Sequence, residues 1–332
     1  MHEERLNAVV EVSVSNFCNF SCDYCISSAT HKKVPTNKDG SARIFKDLRF
    51  NERGVVDYMR MKRLGLIVHG GLGNTFNFGI ENPDGTIDRS GDHVIEHDFI
   101  DYGKLTKFLR EQLPGWVVQL GGGEPLHNPG MSEFLFDITK THRVILLTNL
   151  SLIKAKKEIL DIPSDRMFYR IGFHPEQYKI ELYAQNLNIL KEHNKDYLVN
   201  YVLHPRHSVD GMAKAYTDFL KDNEYNYEVT RFYGRWGDIE YPTKELSPME
   251  QELLSPHTIS NNFTTDPNIP GTKYLSIYPD GKIYQCSKKV VCLGSIYDSF
   301  KPYHRQKMDA CFVGGNKCQS VISQEYVLSQ WN

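Results

Sequence analysis

Three cysteines near the start of the chain have the spacing of a metal-binding loop. Cys18, Cys22 and Cys25 are separated by three and then by two residues. Thiolates are soft ligands that suit iron–sulfur clusters and zinc, and three of them can hold three irons of one [4Fe-4S] cluster while the fourth iron keeps an open coordination site. The cysteine spacing alone does not distinguish an iron–sulfur cluster from a zinc ion. The aromatic Tyr24 and the β-branched stretch 9–14 just before the loop favour iron.

A glycine turn with one carboxylate follows much further along the chain. Gly121, Gly122, Gly123 and Glu124 come directly after the apolar segment 116–120, as a strand running into a turn would. Glycine lets the backbone approach a ligand closely, and the carboxylate supplies a negative charge for an amino group. Such a turn is a weak signal alone, but in this order after the cysteines it becomes a strong one.

The two motifs together resemble those of the radical S-adenosylmethionine (SAM) enzymes. The resemblance implies that SAM chelates the open iron, that the reduced cluster cleaves it, and that a 5′-deoxyadenosyl radical takes a hydrogen atom from the substrate. It also implies an electron donor of the flavodoxin or ferredoxin type. The implied contacts are Cys18, Cys22 and Cys25 for the [4Fe-4S] cluster, Tyr24 beside the adenine, and Gly122, Gly123 and Glu124 for the amino group of SAM.

Strand and helix patterns alternate from residue 9 to residue 232. Apolar runs predict strands at 9–14, 116–120, 144–147, 167–173, 197–203 and 227–232, and helical spacing predicts helices at 99–113, 131–138, 153–160, 177–192 and 211–220. This alternation predicts the α/β class with a parallel sheet. The family resemblance implies a partial (β/α)6, TIM-like barrel within residues 1–235.

In such sheets ligands bind beyond the carboxyl ends of the strands. The cysteine loop, the glycine turn, Asn149 and the segment from His174 to Glu176 each follow a predicted strand. They should therefore open onto one mouth. The resemblance implies that Asn149, His174 and Glu176 contact SAM, the last two at its ribose and carboxylate, although plain polar strand ends remain an alternative.

A long insertion lies between the first strand and the first helix, at about residues 30–97. Long insertions are often lids or binding loops. We hypothesise that this one is a substrate lid, with a plain surface elaboration as the alternative. The Asn82-Pro83-Asp84-Gly85 sequence predicts a turn between two strands.

Residues 236–332 form a predicted C-terminal extension. Pro279-Asp280-Gly281 between apolar stretches predicts a hairpin. The extension resembles the SPASM and twitch extensions of radical SAM enzymes, which hold auxiliary clusters. The ligands that this implies for one second [4Fe-4S] cluster are Cys286, Cys292, Cys311 and Cys318. A zinc ion held by the same four thiols is the structural alternative.

Composition sets broad limits on the function. The 332 residues include 39 Lys and Arg against 41 Asp and Glu, so the net charge is −2 and no overall field gathers nucleic acid or an anionic membrane. The apolar runs are too short to span a bilayer, and no signal sequence begins the chain. We expect a cytoplasmic protein, in which seven cysteines are metal ligands or core residues rather than disulfides.

The resemblance to radical SAM enzymes with such extensions implies an oxidoreductase-like radical SAM enzyme that oxidises or crosslinks a peptide or protein. One alternative is oxidation, epimerisation or rearrangement of a small molecule such as an aminosugar or a nucleoside. Another is a non-catalytic metal-binding scaffold or sensor that uses the same thiols without turnover.

Overall fold

The structure is a computed structural model that describes residues 8–15, 18–20, 22, 100–208, 211–232, 234–236, 239–241, 243, 245–255, 274–285 and 292–301, with the backbone of short strands between 67 and 98. A nine-stranded sheet lies at the centre of these residues. In chain order its strands are β1 (Val9–Ser13), β2 (Val117–Gly121), β3 (Val144–Thr148), β4 (Met167–Phe173), β5 (Tyr197–Leu203), β6 (Tyr227–Arg231), β7 (Tyr274–Ile277), β8 (Lys282–Tyr284) and β9 (Cys292–Ser295).

The strands β1 to β6 lie side by side in sequential order and are all parallel. Helices lie between them in the sequence: α1 (Tyr102–Gln112) before β2, α2 (Met131–Ile138) before β3, α3 (Ile180–Glu192) before β5 and α4 (Met212–Asp222) before β6. A short α5 (Pro248–Leu253) follows β6. The α/β class and the strand order of a partial (β/α)6, TIM-like barrel are therefore confirmed.

Alternation along the strands separates two faces of the sheet. One face packs against the helices in a large core that includes Val118, Leu146 and Val199. The opposite face carries a smaller apolar layer of Val9, Val117, Ile145, Phe168, Leu198 and Tyr274. Since successive residues of a strand point to opposite faces, polar residues such as Glu11 and Arg170 share this second face.

The connection between β3 and β4 differs from the prediction. An α-helix was expected at 153–160, but Ile153–Asp161 forms 3₁₀ turns with non-helical dihedrals at Lys156, where φ is −124° and ψ is 34°. The apolar side chains of Ile153, Ile159 and Leu160 are buried all the same. Tighter turns bury apolar side chains at this spacing as well, so the pattern alone does not distinguish a 3₁₀ segment from an α-helix.

The C-terminal extension contributes strands to the central sheet. β7 pairs in parallel with β1, and β8 and β9 continue antiparallel from it. The predicted hairpin is present, with β7 and β8 joined by a turn in which Gly281 has φ +77°. Tyr274 of β7 donates a hydrogen bond to the carboxylate of Glu11 on β1. The domain boundary near residue 235 stays a prediction.

Other short strands lie outside the central sheet. In the insertion, Ile67–His69, Thr75–Phe78 and Glu96–Asp98 form an antiparallel sheet, and Ile80–Glu81 pairs with Ile87–Asp88 on either side of the predicted turn at 82–85. Gly234–Trp236 pairs with Ile239–Tyr241. Whether the insertion acts as a lid stays a hypothesis.

Among the residues that the structure describes, no helix combines the length and the apolar composition that a bilayer span requires.

Candidate functional site

The site lies at the carboxyl edge of β1 to β6, which we call the mouth. Gly122 and Glu124 follow β2, Asn149 follows β3, and His174 follows β4. Cys18 and Cys22 belong to the sequence segment 18–25 after β1, which we call the cluster loop after its predicted role. Parallel neighbouring strands bring these segments to the same edge.

Glu124 is the most deeply buried carboxylate at the mouth, with 1% of its surface exposed. Its Oε1 accepts hydrogen bonds from the Leu126 backbone N–H (3.1 Å) and the Thr148 hydroxyl (2.8 Å). Its Oε2 accepts one from the Asn149 backbone N–H at 2.7 Å. Burial raises the pKa of Glu124 from 4.5 to about 7, although these hydrogen bonds favour the charged form and oppose the shift. Three contacts therefore fix the orientation of this carboxylate.

Gly122 occupies a position where only glycine fits. Its φ is +115°, and a Cβ built there would stand 2.3 Å from the Ser15 backbone oxygen. The next residue, Gly123, donates its backbone N–H to that same oxygen at 2.9 Å. The chain after β2 thus lies directly against the chain after β1, which brings the glycine turn next to the cluster loop.

Asn149 joins the glycine turn to the cluster loop. Its backbone N–H binds Glu124, and its side-chain Nδ2 lies 2.9 Å from the Asn19 Oδ1 and 4.0 Å from the Cys18 Sγ. Asn19 donates in turn to the Ser151 hydroxyl at 2.8 Å, and that hydroxyl donates to the Asn149 Oδ1 at 2.6 Å. These hydrogen bonds connect the cluster loop to the end of β3.

Leu150 follows Asn149 in a backbone conformation that favours glycine. It adopts φ +61°, in the left-handed region, and its side chain is fully buried. Its backbone N–H donates to the Thr148 hydroxyl at 3.0 Å. The turn therefore keeps the conformation that suits glycine, and burial of the leucine side chain compensates the strain.

Cys22 lies against the end of β4. Its Sγ is 3.5 Å from the Nδ1 of His174. Phe20 of the same loop packs edge-on against the His174 ring and also contacts Tyr178, each at 5.9 Å between ring centroids. Burial lowers the pKa of His174 to about 4, against the opposing effect of the Glu176 charge. The imidazole is therefore neutral at pH 7 and adds no charge beside the thiol.

Gly172 makes room for that ring. A Cβ at this position would stand 2.5 Å from the Nε2 of His174. Because Gly172 has no side chain, the His174 ring can lie over β4 and reach Cys22.

Glu176 contacts a partner that the sequence did not suggest. Its Oε1 lies 2.5 Å from the Nε2 of His207, whose Nδ1 lies 2.8 Å from the Tyr201 hydroxyl. His207 follows β5, and a single histidine after a strand carries no recognisable spacing. A partial signal was available, because Glu176 and His207 follow neighbouring predicted strands and must come near one another.

A polar layer lies below the mouth on the second face of the sheet, which carries Glu11 and Arg170. Arg170 of β4 forms an ion pair with Glu228 of β6 at 2.8 Å, and Glu228 also accepts from Asn200 of β5 at 2.8 Å. Thr230 donates to the Asn200 Oδ1 at 3.1 Å. This network is buried and hydrogen-bonded, so it braces the three strands whose ends carry His174 and His207.

Several predicted site residues lie outside the described part of the chain: Tyr24, Cys25, Cys286, Cys311 and Cys318. Cys292 is described; it begins β9, is exposed and points its Sγ at the Gly294 carbonyl, 3.6 Å away. The two described thiols of the cluster loop and the polar ends of β2, β3 and β4 are brought together. Sulfur donors flanked by a neutral histidine and an amide fit a soft, thiolate-bound centre such as an iron–sulfur cluster.

Similar chains exist among solved structures. Streptococcus suis SuiB is 12% identical, with 89% of this chain and 64% of that chain covered and a TM-score of 0.45, so this chain spans just under two thirds of SuiB. The structure of anSMEcpe with bound AdoMet is 12% identical, with 88% of this chain and 79% of that chain covered and a TM-score of 0.49. The structure of anSMEcpe with bound AdoMet and Cp18Cys peptide is also 12% identical, with 88% of this chain and 78% of that chain covered and a TM-score of 0.49. No family model and no curated protein matches the sequence. Identity at this level does not transfer a function, which must follow from the residues of this chain.

Proposed function

We propose that this chain is a radical SAM enzyme that binds a [4Fe-4S] cluster, cleaves SAM reductively and takes a hydrogen atom from a substrate. One observation carries the proposal. The cluster loop is docked on the ends of β3 and β4, through Asn149 beside Cys18 and His174 beside Cys22. The glycine turn after β2 binds the same Asn149 through its buried carboxylate. A scaffold that only bound metal would not require that carboxylate to be buried and oriented.

The ligands of the cluster would be Cys18, Cys22 and Cys25, of which the last lies outside the described residues. When bound, the cluster supplies the electron that cleaves SAM, and the resulting radical carries out the hydrogen abstraction. Three protein thiolates would leave one iron of the cluster without a protein ligand, and the amino acid part of SAM would bind there. Asn149 would donate a hydrogen bond toward the sulfur of Cys18, which stabilises the thiolate.

The glycine turn would hold the amino group of SAM. Glu124 contributes a carboxylate whose three hydrogen bonds hold it in place before a ligand arrives. A carboxylate has about four lone-pair sites, so one further donor can be accepted. An ammonium group there would lower the pKa of Glu124 and retain the charged form.

For the substrate we propose a peptide or protein that is oxidised or crosslinked. Support comes from the C-terminal extension, where the hairpin around Gly281 precedes the cysteine pattern that resembles an auxiliary-cluster extension. A second cluster would supply an acceptor for the electron that a net oxidation releases. Cys292, at the start of β9, would be one of its ligands.

The proposal is tested by anaerobic reconstitution of the wild type beside a variant in which Cys18, Cys22 and Cys25 are all alanine. On about four irons per cluster, we expect near eight irons per wild-type chain and near four in the variant. After chemical reduction with SAM present, only the wild type should form 5′-deoxyadenosine. The control is Cys292→Ala, which should lose iron from the extension and still cleave SAM.

Two outcomes would contradict the proposed enzyme class, and a third would contradict the proposed oxidation. Equal iron in the wild type and in the triple variant would mean that the cluster loop does not bind iron. A wild type that holds iron and forms no 5′-deoxyadenosine would be a metal-binding scaffold and not an enzyme of this class. Near four irons in the wild type and none in the variant would remove the second cluster and with it the support for net oxidation.

A further inference from the structure

The two described thiols of the cluster loop lie beside nitrogen atoms that can donate hydrogen bonds. The Sγ of Cys18 is 3.4 Å from the backbone nitrogen of Phe20 and 4.0 Å from the side-chain Nδ2 of Asn149. The Sγ of Cys22 is 3.5 Å from the Nδ1 of His174. Of these two side chains, His174 therefore stands closer to its thiol.

The surroundings of His174 hold its ring in this orientation. A Cβ on Gly172 would stand 2.5 Å from Nε2, so this edge of the ring lies directly over β4. Phe20 of the cluster loop packs edge-on against the ring, with 5.9 Å between centroids and 84° between the planes, and Phe20 also contacts Tyr178. The imidazole thus lies between β4 and the cluster loop, with Nδ1 directed at Cys22.

The direction of this contact follows from the chemistry of a metal ligand. A thiolate that binds iron carries no hydrogen, so the hydrogen between the two atoms belongs to Nδ1 of the imidazole. An imidazole can carry a hydrogen on Nδ1 in its neutral form as well as in its charged form. The donor role of His174 therefore does not depend on the charge of its ring.

A hydrogen bond to a ligand sulfur affects an iron–sulfur cluster in a known direction. Hydrogen bonds to the sulfurs are among the features that set the reduction potential of such clusters. Reduction adds negative charge that the cluster shares with its ligand sulfurs. A donor at the sulfur therefore stabilises the reduced form more than the oxidised form, and it raises the reduction potential.

We propose that His174 donates its Nδ1 hydrogen to the thiolate of Cys22 and thereby raises the reduction potential of the [4Fe-4S] cluster in the cluster loop. This inference rests on the proposed function, since it presumes that the cluster loop binds that cluster. The family resemblance implies a SAM contact for His174, whereas this assignment gives its Nδ1 a different partner. His174 acts on the cluster through Cys22 and is a positioning residue.

The test separates the hydrogen bond from the packing of the ring. His174→Phe retains a ring that can pack against Phe20 and has no donor. The amide nitrogen of Asn reaches the position of Nδ1, so His174→Asn retains a donor and loses the ring. His174→Leu is a second variant without a donor and has a smaller side chain than Phe. His193→Phe, at the exposed end of α3, is the matched control.

The measurement is the midpoint potential of the one-electron reduction, followed by electron paramagnetic resonance during titration of the anaerobically reconstituted full chain with dithionite. SAM is left out, and the signal of the cluster loop is the one that the variant with Cys18, Cys22 and Cys25 all changed to alanine lacks. We expect His174→Phe and His174→Leu to make reduction about tenfold less favourable, a shift of ~59 mV to lower potential. His174→Asn and His193→Phe should stay within about twofold of the wild type, or ~18 mV.

Iron content and melting temperature are measured on each variant. A wild-type potential in both His174→Phe and His174→Leu would overturn the inference and leave the proposed function intact. An equal shift in His174→Asn and His174→Phe would also overturn it, because the ring and not the donor would then set the potential. Loss of iron in all three variants of His174 would overturn it as well, because His174 would then only hold the cluster loop in place. Equal iron in the wild type and in the triple cysteine variant would instead refute the proposed function.

Discussion

The buried carboxylate of Glu124 should make the stability of this protein depend on pH in a direction opposite to that of the buried His127 and His174. Its pKa is raised from 4.5 to about 7 because the side chain is removed from water. In the folded state the group therefore binds a proton at pH values where the unfolded chain has released it. Stability from this group is fully present below about pH 4.5 and is lost as pH rises through about 7.

The size of the effect follows from the two pKa values. Each pKa unit corresponds to about 1.4 kcal/mol, so the shift from 4.5 to about 7 amounts to ~3 kcal/mol over the whole range. Between about pH 5.5 and about pH 8 the linkage relation gives a decrease of ~2 kcal/mol in the free energy of unfolding from this group. The buried His127 and His174 have pKa values lowered to about 4, so their contribution is lost as pH falls below about 6.5 and has the opposite sign.

The substitution Glu124→Gln separates these contributions, since an amide keeps the shape and does not titrate. The free energy of unfolding is measured by urea titration of SAM-free protein at both pH values. Relative to Glu124→Gln, the wild type should lose ~2 kcal/mol on going from the lower to the higher pH. A difference below about 0.5 kcal/mol would refute the assignment of a raised pKa, because both proteins would then share the same pH dependence.

Three further substitutions test the geometry of the mouth. Gly122→Ala should lower stability by about 1–3 kcal/mol and weaken SAM binding, because φ is +115° and the new Cβ would stand 2.3 Å from a backbone oxygen. The control is Gly121→Ala, whose Cβ would meet only a leucine side chain at 3.6 Å. Equal melting temperatures of the two variants would contradict the prediction. Asn149→Ala removes the amide that holds the cluster loop, so less iron should remain after desalting, whereas Asn223→Ala on the exposed end of α4 should retain it. Gly172→Ala would place a Cβ 2.5 Å from the neighbouring histidine ring and should lower the melting temperature; an unchanged melting temperature would mean that the ring moves without cost.

The six parallel strands could be predicted because each is an apolar run with a helical pattern beside it. Buried parallel strands leave that signature in the sequence, since both of their faces are covered. The 3₁₀ segment Ile153–Asp161 was predicted as an α-helix because three apolar side chains satisfy either geometry. The kink at Lys156 depends on how those side chains pack and has no local signal.

Site residues that belong to a local sequence motif could be predicted. Contacts between residues that are distant in the sequence could not. Glu124 and Asn149 were identified from their position after strands, and their mutual contact follows from strand order. The contact of His207 with Glu176 joins residues that are 31 positions apart in the sequence. Such a contact is decided by the packing of two strand ends and is not visible as spacing.

The parallel pairing of β7 with β1 has a consequence for the synthesis of the chain. Residues 274–277 emerge long after residues 9–13, and the Tyr274 contact with Glu11 spans 263 residues. Until β7 arrives, β1 is an edge strand with unpaired backbone groups on one side, directly below the cluster loop. A ribosome-bound chain that lacks β7 would therefore expose an open strand beside the cysteines of the cluster loop, and closure of that edge would be among the last events of folding.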